Sequence, residues 1–423
     1  MENSIIIKNI RAVDAKTDRI TDVFIEDGKI AKVGENLHCG AYEVIDGTDL
    51  VLMPSLFDMH VHFRDPGLTH KENILTGCSS ALAGGVTGVV TMPNTKPPCD
   101  NPETIEYIIN RAKDTGVDVY PCGCITGGMS GNGLCDYEAL KNAGCICISD
   151  DGRPVENAEM MRKALEMSKD NGLLVISHCE DLSIIDGGIM NKGEISEKLG
   201  VKGMDRASED YITAREIILA QSTDARIHIA HVSTEGSVEI IRCAKNHGAK
   251  VTCETAPHYF LLTDELLLKR DADYRMNPPL RTKADVRAVI DGIKDGTIDC
   301  IITDHAPHTA EEKADFEKAP NGVVGLETSF SATLTGLYHT GEVPLKKIVE
   351  LMCVNPRKIL GLETPAIAEG KPADLIIADI NKKWTVEPAK LHSRSHNTVF
   401  KGMTLTGKTL VTISKGIIRY DER

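Results

Sequence analysis

Asp58-Met59-His60-Val61-His62-Phe63-Arg64-Asp65-Pro66-Gly67 follows a short apolar run, residues 50–57, interrupted only by Pro54 and Ser55. The run reads as a buried strand that begins at the Pro-Ser turn. Side chains two apart on a strand face the same way. His60 and His62 therefore point to one side together, and Arg64 joins them if the strand persists. Two imidazoles on one face, one residue apart, can hold a metal ion between them, while Pro66-Gly67 ends the strand and opens a loop. Taken alone, the same pattern also describes a strand with two hydrogen-bonded core histidines and a surface arginine. The rest of the chain decides between the two.

Downstream, apolar strand-like runs alternate with helical patterns. The runs are 86–92, 117–125, 145–149, 173–178, 226–232, 250–254 and 300–303, which with the strand before His60 makes eight. Helical patterns lie between them at 102–113, 157–169, 210–221, 237–246 and 283–291. Eight strands alternating with helices predict an α/β fold, a TIM-type (β/α)8 barrel over residues 53–364. The flanks have β texture instead. Residues 4–10 read as one strand, and 22–33 as a hairpin turning at Asp27-Gly28. Residues 43–47, 373–379, 409–414 and 416–420 read as further strands. Residues 1–52 and 365–423 are expected to pack together as one small discontinuous β-sandwich domain. The acidic stretch 309–321 lacks an apolar pattern and is a candidate cover for a site.

The chain has 423 residues, 41% hydrophobic and 26% charged, with a net charge of -14. That balance argues against nucleic acid or an anionic membrane as partner. It leaves room for an anionic small molecule wherever the site is locally positive. The 13 cysteines have no metal-finger spacing. The pairs Cys122/Cys124 and Cys145/Cys147 read as buried thiols in a reducing, cytoplasmic setting. Residues 1–10 show no signal-peptide pattern, and no window reaches 18 apolar residues, so no membrane span is expected.

Polar residues recur where the barrel strands end: His60-Val-His62, Met92-Pro93-Asn94, Ser149-Asp150-Asp151-Gly152, Ser177-His178-Cys179-Glu180, Ala230-His231-Val232-Ser233 and Thr303-Asp304-His305-Ala306-Pro307-His308. Barrel enzymes keep their chemistry on this rim. Metal-type side chains at five of eight ends make a shared site the economical reading. The expected ligands are His60, His62, His178, His231, Asp151 and Asp304. Imidazole with carboxylate suits zinc. Six ligands exceed one tetrahedral ion that must also hold water, but they serve two ions if a carboxylate bridges. Asp151 is the best candidate bridge, because strand four lies between the other two groups in chain order.

These motifs resemble the amidohydrolase superfamily and, within it, the dihydroorotases. The segment from Asp58 to Gly67 is similar to one dihydroorotase signature, and Thr303-Asp304-His305-Ala306-Pro307-His308 to a second. Asn94 and Asn277-Pro278-Pro279-Leu280-Arg281 match as well. The resemblance implies a zinc enzyme that interconverts N-carbamoyl-L-aspartate and L-dihydroorotate in pyrimidine biosynthesis. It further implies that His60 and His62 bind one zinc with Asp151 and Asp304, and that His178 and His231 bind a second, with Asp151 bridging. Asp304 is then the catalytic proton carrier. Arg64, Asn94, Asn277 and His308 contact substrate, with His62 beside them and the backbone at Asn321 and Gly322. Many superfamily members bridge with a carboxylated lysine. No lysine stands at the end of strand four here, which looks like the bacterial class I dihydroorotases, some of which work with aspartate transcarbamoylase. A homodimer and a transcarbamoylase complex are both compatible partners. Family members often have Phe where Asn321 stands, a change that a backbone contact tolerates.

The alternatives are another cyclic amidase (hydantoinase, dihydropyrimidinase or allantoinase) and a non-catalytic partner of aspartate transcarbamoylase. Arg64 and Asn94 disfavour the first, whose substrates lack the carboxylate these residues would hold. The complete ligand set disfavours the second. Among the remaining polar residues, His305 is expected to orient its loop, His258 to serve the rim or pack in the Pro257 turn, and Asp150 to cap a turn. Glu180 either supports His178 or is a solvated acid. His38, His70, His228, His247, His339, His392 and His396 read as structural or exposed.

Overall fold

The computed structural model describes residues 4–423. Eight parallel strands form the barrel: β1 (Leu56–Val61), β2 (Val86–Thr91), β3 (Asp118–Pro121), β4 (Cys147–Ile148), β5 (Leu174–Ser177), β6 (Ile227–Ile229), β7 (Val251–Thr255) and β8 (Cys300–Ile301). Regular pairing runs β1-β2-β3 and β4-β5-β6-β7-β8. Single bridges, Gly123 with Ile148 and Val61 with His305, close the two arcs into a ring. Every residue of β1 and β2 is buried, as parallel strands covered on both faces require.

The helices between the strands begin and end on legible signals. Pro102–Ala112 starts at Asn101, whose side chain accepts from the Thr104 backbone N–H, and buries Ile105, Ile108 and Ala112 on one face. Ala158–Asn171 stops at Gly172 in the left-handed conformation. Two expectations needed revision. The run 117–125 is regular strand only over Asp118–Pro121, because beyond it the ring is closed by the single bridge at Gly123. Between β5 and the helix Ala207–Thr223 lies a small lobe that periodicity did not reveal: two short helices, Leu182–Ile185 and Glu194–Leu199, and a pairing of Met190–Asn191 with Gly203–Met204. Elements this short fall below the length at which a repeat can be read.

The chain ends meet in one eight-stranded sheet, in the order Ile417–Asp421, Thr404–Ser414, Leu375–Thr385, Val51–Pro54, Ile5–Val13, Asp18–Glu26, Lys29–Gly34, with Glu43–Asp46 alongside Ile5–Val13. Asp27 and Gly28 turn the hairpin with φ of 50° and 77°, the double positive φ that a two-residue turn with strand-matching twist requires. Ile7, Ile10, Ile25, Ile30, Leu52, Ile377 and Ile413 form the fully buried centre of this sheet's core. Pro54 pairs with Leu375 in the terminal sheet, and only Ser55 separates it from β1. The Pro-Ser break therefore marks the passage of the chain from sheet to barrel. No helix among the described residues is long and apolar enough to cross a membrane.

Candidate active site

The rim of the barrel brings all six expected ligands together, each of them buried. Asp151, just past β4, stands at their centre. Its Oδ1 lies 3.3 Å from His60 Nε2, 3.3 Å from His178 Nδ1 and 3.7 Å from His231 Nε2, and its Oδ2 lies 3.5 Å from His62 Nε2. Asp304 Oδ1 lies 3.0 Å from His62 Nε2 and 3.8 Å from His60 Nε2. Two triplets, His60/His62/Asp151 and Asp151/His178/His231, have the spacing of a metal-binding group. His60 Nε2 and Asp151 Oδ1 are buried without a hydrogen-bond partner. Polar atoms left this way are unfavourable by about 1–3 kcal/mol each, and a shared cation satisfies both. The donor set, imidazole with carboxylate, fits a divalent metal.

Outer contacts turn these rings toward the centre. His60 Nδ1 lies 2.7 Å from Glu254 Oε1, His62 Nδ1 2.8 Å from Asn94 Oδ1, and His178 Nε2 3.4 Å from Glu180 Oε2. Each acceptor draws the ring proton outward and leaves the inner nitrogen's lone pair for a metal. The electrostatics agree. Burial alone would raise the Asp151 carboxyl, but His60, His178 and His231 hold it well below the usual carboxylate range. Burial would likewise raise Glu254, yet His60 and His228 bring it down to about 2. The pocket attracts positive charge from every side.

The opposite wall has the reverse need. Arg64, Asn94, Asn277, His308, Asn321 and Gly322 line a cleft of ≈ 240 Å³ above the ligands, with His62, Asp151 and Asp304 at its floor. That is below the roughly 300–1,000 Å³ of drug-sized sites and suits one small ring. Arg64 is buried, donates to Pro307 O at 3.4 Å, lies 3.4 Å from His308 Nε2, and has no ion pair with a carboxylate among the described residues. His308 Nε2 donates to Asn321 O at 3.0 Å. Lys71 Nζ approaches His308 Nδ1 at 3.3 Å and pairs with Glu312 at 2.8 Å. Burial, with Arg64 and Lys71 beside it, pushes His308 down to about 3, so the ring is neutral.

The segment 309–321 is tied down rather than loose. Buried Lys313 donates to the carbonyls of Arg275 and Pro320, and Arg275 donates to Phe316 O and Asn321 Oδ1. Gly322 has φ 138°, and a Cβ there would come within 2.7 Å of Ala306 O. Arg64, His231 and Asp304 also have positive φ, at 59°, 32° and 48°. For residues with side chains this conformation costs about 1–3 kcal/mol, and it concentrates at functional sites.

Sequence reasoning missed some supports. His228, read as structural or exposed, is fully buried and lies 3.1 Å from Glu254 Oε2, beneath His60. Glu254 itself was readable as the one acid inside an otherwise uncharged strand. Lys71 and Lys313 carried no local signal. Glu180 is buried against His178 and is not a solvated acid. His258 packs against Tyr259 with ring centroids 4.2 Å apart, outside the cleft lining. His305 accepts from the Gly325 backbone N–H, and Asp150 accepts from Ile125 and Thr126, each holding a turn.

Solved structures similar to this chain include cyclic amide hydrolases. The L-hydantoinase from Arthrobacter aurescens superposes with a TM-score of 0.87 at 25% identity, over 99% of this chain and 96% of that one. A dihydropyrimidinase from Brevibacillus agri gives 0.87 at 24%, over 99% and 95%, a likeness of fold. The fold and rim thus define a barrel hydrolase of that class. Nearer in sequence, dihydroorotases from Acetivibrio thermocellus and Citrifermentans bemidjiense are 47% and 49% identical over 422 residues, 99% of each chain. A dihydro-orotase-like family model matches residues 49–237. The chain belongs to the dihydroorotase family.

Proposed function

We propose that this cleft interconverts N-carbamoyl-L-aspartate and L-dihydroorotate, with zinc as the metal and two ions per chain bridged by Asp151. The observation that carries the reading is the pairing of a floor of buried imidazole and carboxylate donors spaced for a metal with a buried Arg64 that has no carboxylate ion pair. An anionic ring substrate on a metal pair satisfies both. His60, His62 and Asp304 would hold one ion with Asp151, and His178 and His231 the other. Bound metal supplies Lewis acidity and lowers the pKa of water from about 15.7 toward ~7. Asp304 takes the proton from the attacking water and delivers it to the leaving ring nitrogen. Its carboxyl is suited to this: burial would raise it, but His62 and His60 hold it low, so it begins ionised. Arg64 clamps the substrate carboxylate, with Asn94 and His308 beside it, in a charge-assisted contact that selects against neutral rings. Asn277 and the backbone at Asn321 and Gly322 complete the enclosure. We assign this chemistry to the barrel, which begins after Pro54 rather than at residue 53 and runs to about 364, and treat the strands up to Pro54 with 365–423 as the accompanying sheet unit.

The test is turnover of dihydroorotate, hydantoin and allantoin side by side by the isolated protein, with zinc counted on the same sample. Dihydroorotate consumed alone, with two zincs per chain, is the expected result and makes the chain independent of aspartate transcarbamoylase. Preferential turnover of hydantoin or allantoin would overturn the assignment. A zinc-loaded chain that acts on dihydroorotate only after addition of the transcarbamoylase would make that protein an obligatory partner.

A further inference from the structure

Glu180 follows His178 by two residues where the chain leaves β5, and its carboxylate is buried between two parts of the site. Oε1 accepts from Asn277 Nδ2 at 2.8 Å, and Oε2 faces His178 Nε2 at 3.4 Å. We propose that Glu180 is a positioning residue, one that fixes Asn277 with its amide oxygen toward the substrate while holding His178 in the tautomer that faces the metal. The proposal rests on the dihydroorotate reading of the cleft.

The Asn277 amide nitrogen can only donate, so Oε1 accepts from it, and Oε2 is the acceptor facing the His178 ring nitrogen. Both neighbours of the carboxylate therefore donate. On His178 this places the proton on Nε2 and leaves the lone pair on Nδ1, the atom 3.3 Å from Asp151 Oδ1 and 2.9 Å from His231 Nε2. On Asn277 it commits the amide nitrogen to Glu180. No described residue donates to Asn277 Oδ1, and Asn277 lines the cleft. The group offered to the substrate is thus an acceptor, which suits a ring N–H. Asn94 has the opposite sense. Its Oδ1 is taken by His62 Nδ1 at 2.8 Å and its Nδ2 faces Asp151 O at 3.4 Å, so it offers a donor, which suits a substrate oxygen. The two asparagines read opposite ends of the substrate, and each takes its sense from contact with a histidine of the metal site or with that histidine's partner.

The experiment is a double-mutant cycle on the zinc-loaded enzyme: Glu180→Gln, Asn277→Asp and the two combined. An amide at position 180 can satisfy His178 or Asn277 as acceptor, not both. A carboxylate at position 277, facing the native Glu180, sets two acids together. In the combined variant, the new amide accepts from His178 and donates to the new carboxylate. The free oxygen of that carboxylate still accepts from the substrate, so every donor and acceptor sense returns. Expected are losses in kcat/KM for dihydroorotate of about tenfold for Glu180→Gln and more for Asn277→Asp, with at least about tenfold recovery when they are combined. Zinc loss to a chelator should run about 10–100-fold faster in Glu180→Gln and slow again in the combined variant. A combined variant no better than Asn277→Asp at normal zinc content and melting temperature would overturn the proposal. So would a Glu180→Gln enzyme within about twofold of wild type in both readouts. Wild type inactive on dihydroorotate would instead refute the functional reading, and the chelator series would still test the Glu180 arrangement.

Discussion

The floor and the wall of the cleft are built from opposite shortages. The floor gathers Asp151 and Asp304 inside a ring of histidines, with Glu254 and Glu180 behind it, and leaves unpartnered buried atoms that a shared cation satisfies. The wall sets Arg64 and Lys71 around a neutral His308, and Arg64 has no acid of its own. Neither side is electrostatically complete without a guest, and the guests differ in sign. A chain with a net charge of -14 can thus receive an anion, because the local field at the wall, not the overall charge, meets the ligand at short range. The floor's geometry comes from rigid strand ends. The wall's comes from loops that the side chains of Lys313 and Arg275 hold in place.

The largest effect should come from breaking the floor at its proton carrier. Asp304→Asn is expected to lower kcat by about 10²–10⁴-fold, while the metal content still reports the other ligands. Turnover near wild type would exclude Asp304 from proton transfer. Breaking the wall should act on binding instead. Arg64→Ala is expected to raise KM for dihydroorotate about 10–100-fold, the range of a lost charge-assisted contact, with zinc unchanged. Zinc lost from that variant would mean the two sides are not separate. Glu254→Gln sharpens the comparison from below the floor: weaker zinc retention by about 10–100-fold with KM nearly constant, measured by chelator competition.

The smallest effect should be at Glu312. Burial would raise its carboxyl, but Lys71 and the Thr309 backbone N–H bring it from 4.5 down to about 2. A carboxyl with a lowered folded-state pKa stabilises above its unfolded value and loses that contribution as pH falls through the folded one. Glu312→Gln should therefore melt slightly below wild type at neutral pH. The gap should narrow as pH drops from 4.5 toward 2. A gap that widens in acid would refute the pairing with Lys71.

The floor was legible in sequence because its ligands sit at strand ends, where alternation and a polar residue after an apolar run are local signals. His60 and His62 need only the two-residue repeat, and Asp151, His178, His231 and Asp304 need only the count of strands. The wall was legible in part. Arg64 and His308 stand in recognisable runs, but Lys71 reaches His308 across 237 positions. His228 went unread for a related reason. Its meaning depends on Glu254 in the neighbouring strand, and a lone histidine in an apolar strand looks like packing. The lobe between β5 and Ala207 was invisible because its strands have two residues each.

The single residue between Pro54 and β1 has a consequence for synthesis. Val51–Pro54 pairs antiparallel with Leu375–Ala378, so a strand made early in the chain waits for a partner made near its end. At ribosomal rates of about 5–20 residues per second that wait is roughly 16–64 s. Through all of it the barrel must form while one edge of the terminal sheet stays open. A nascent chain stalled before residue 375 would present that edge to other chains, the arrangement from which edge-to-edge aggregation begins.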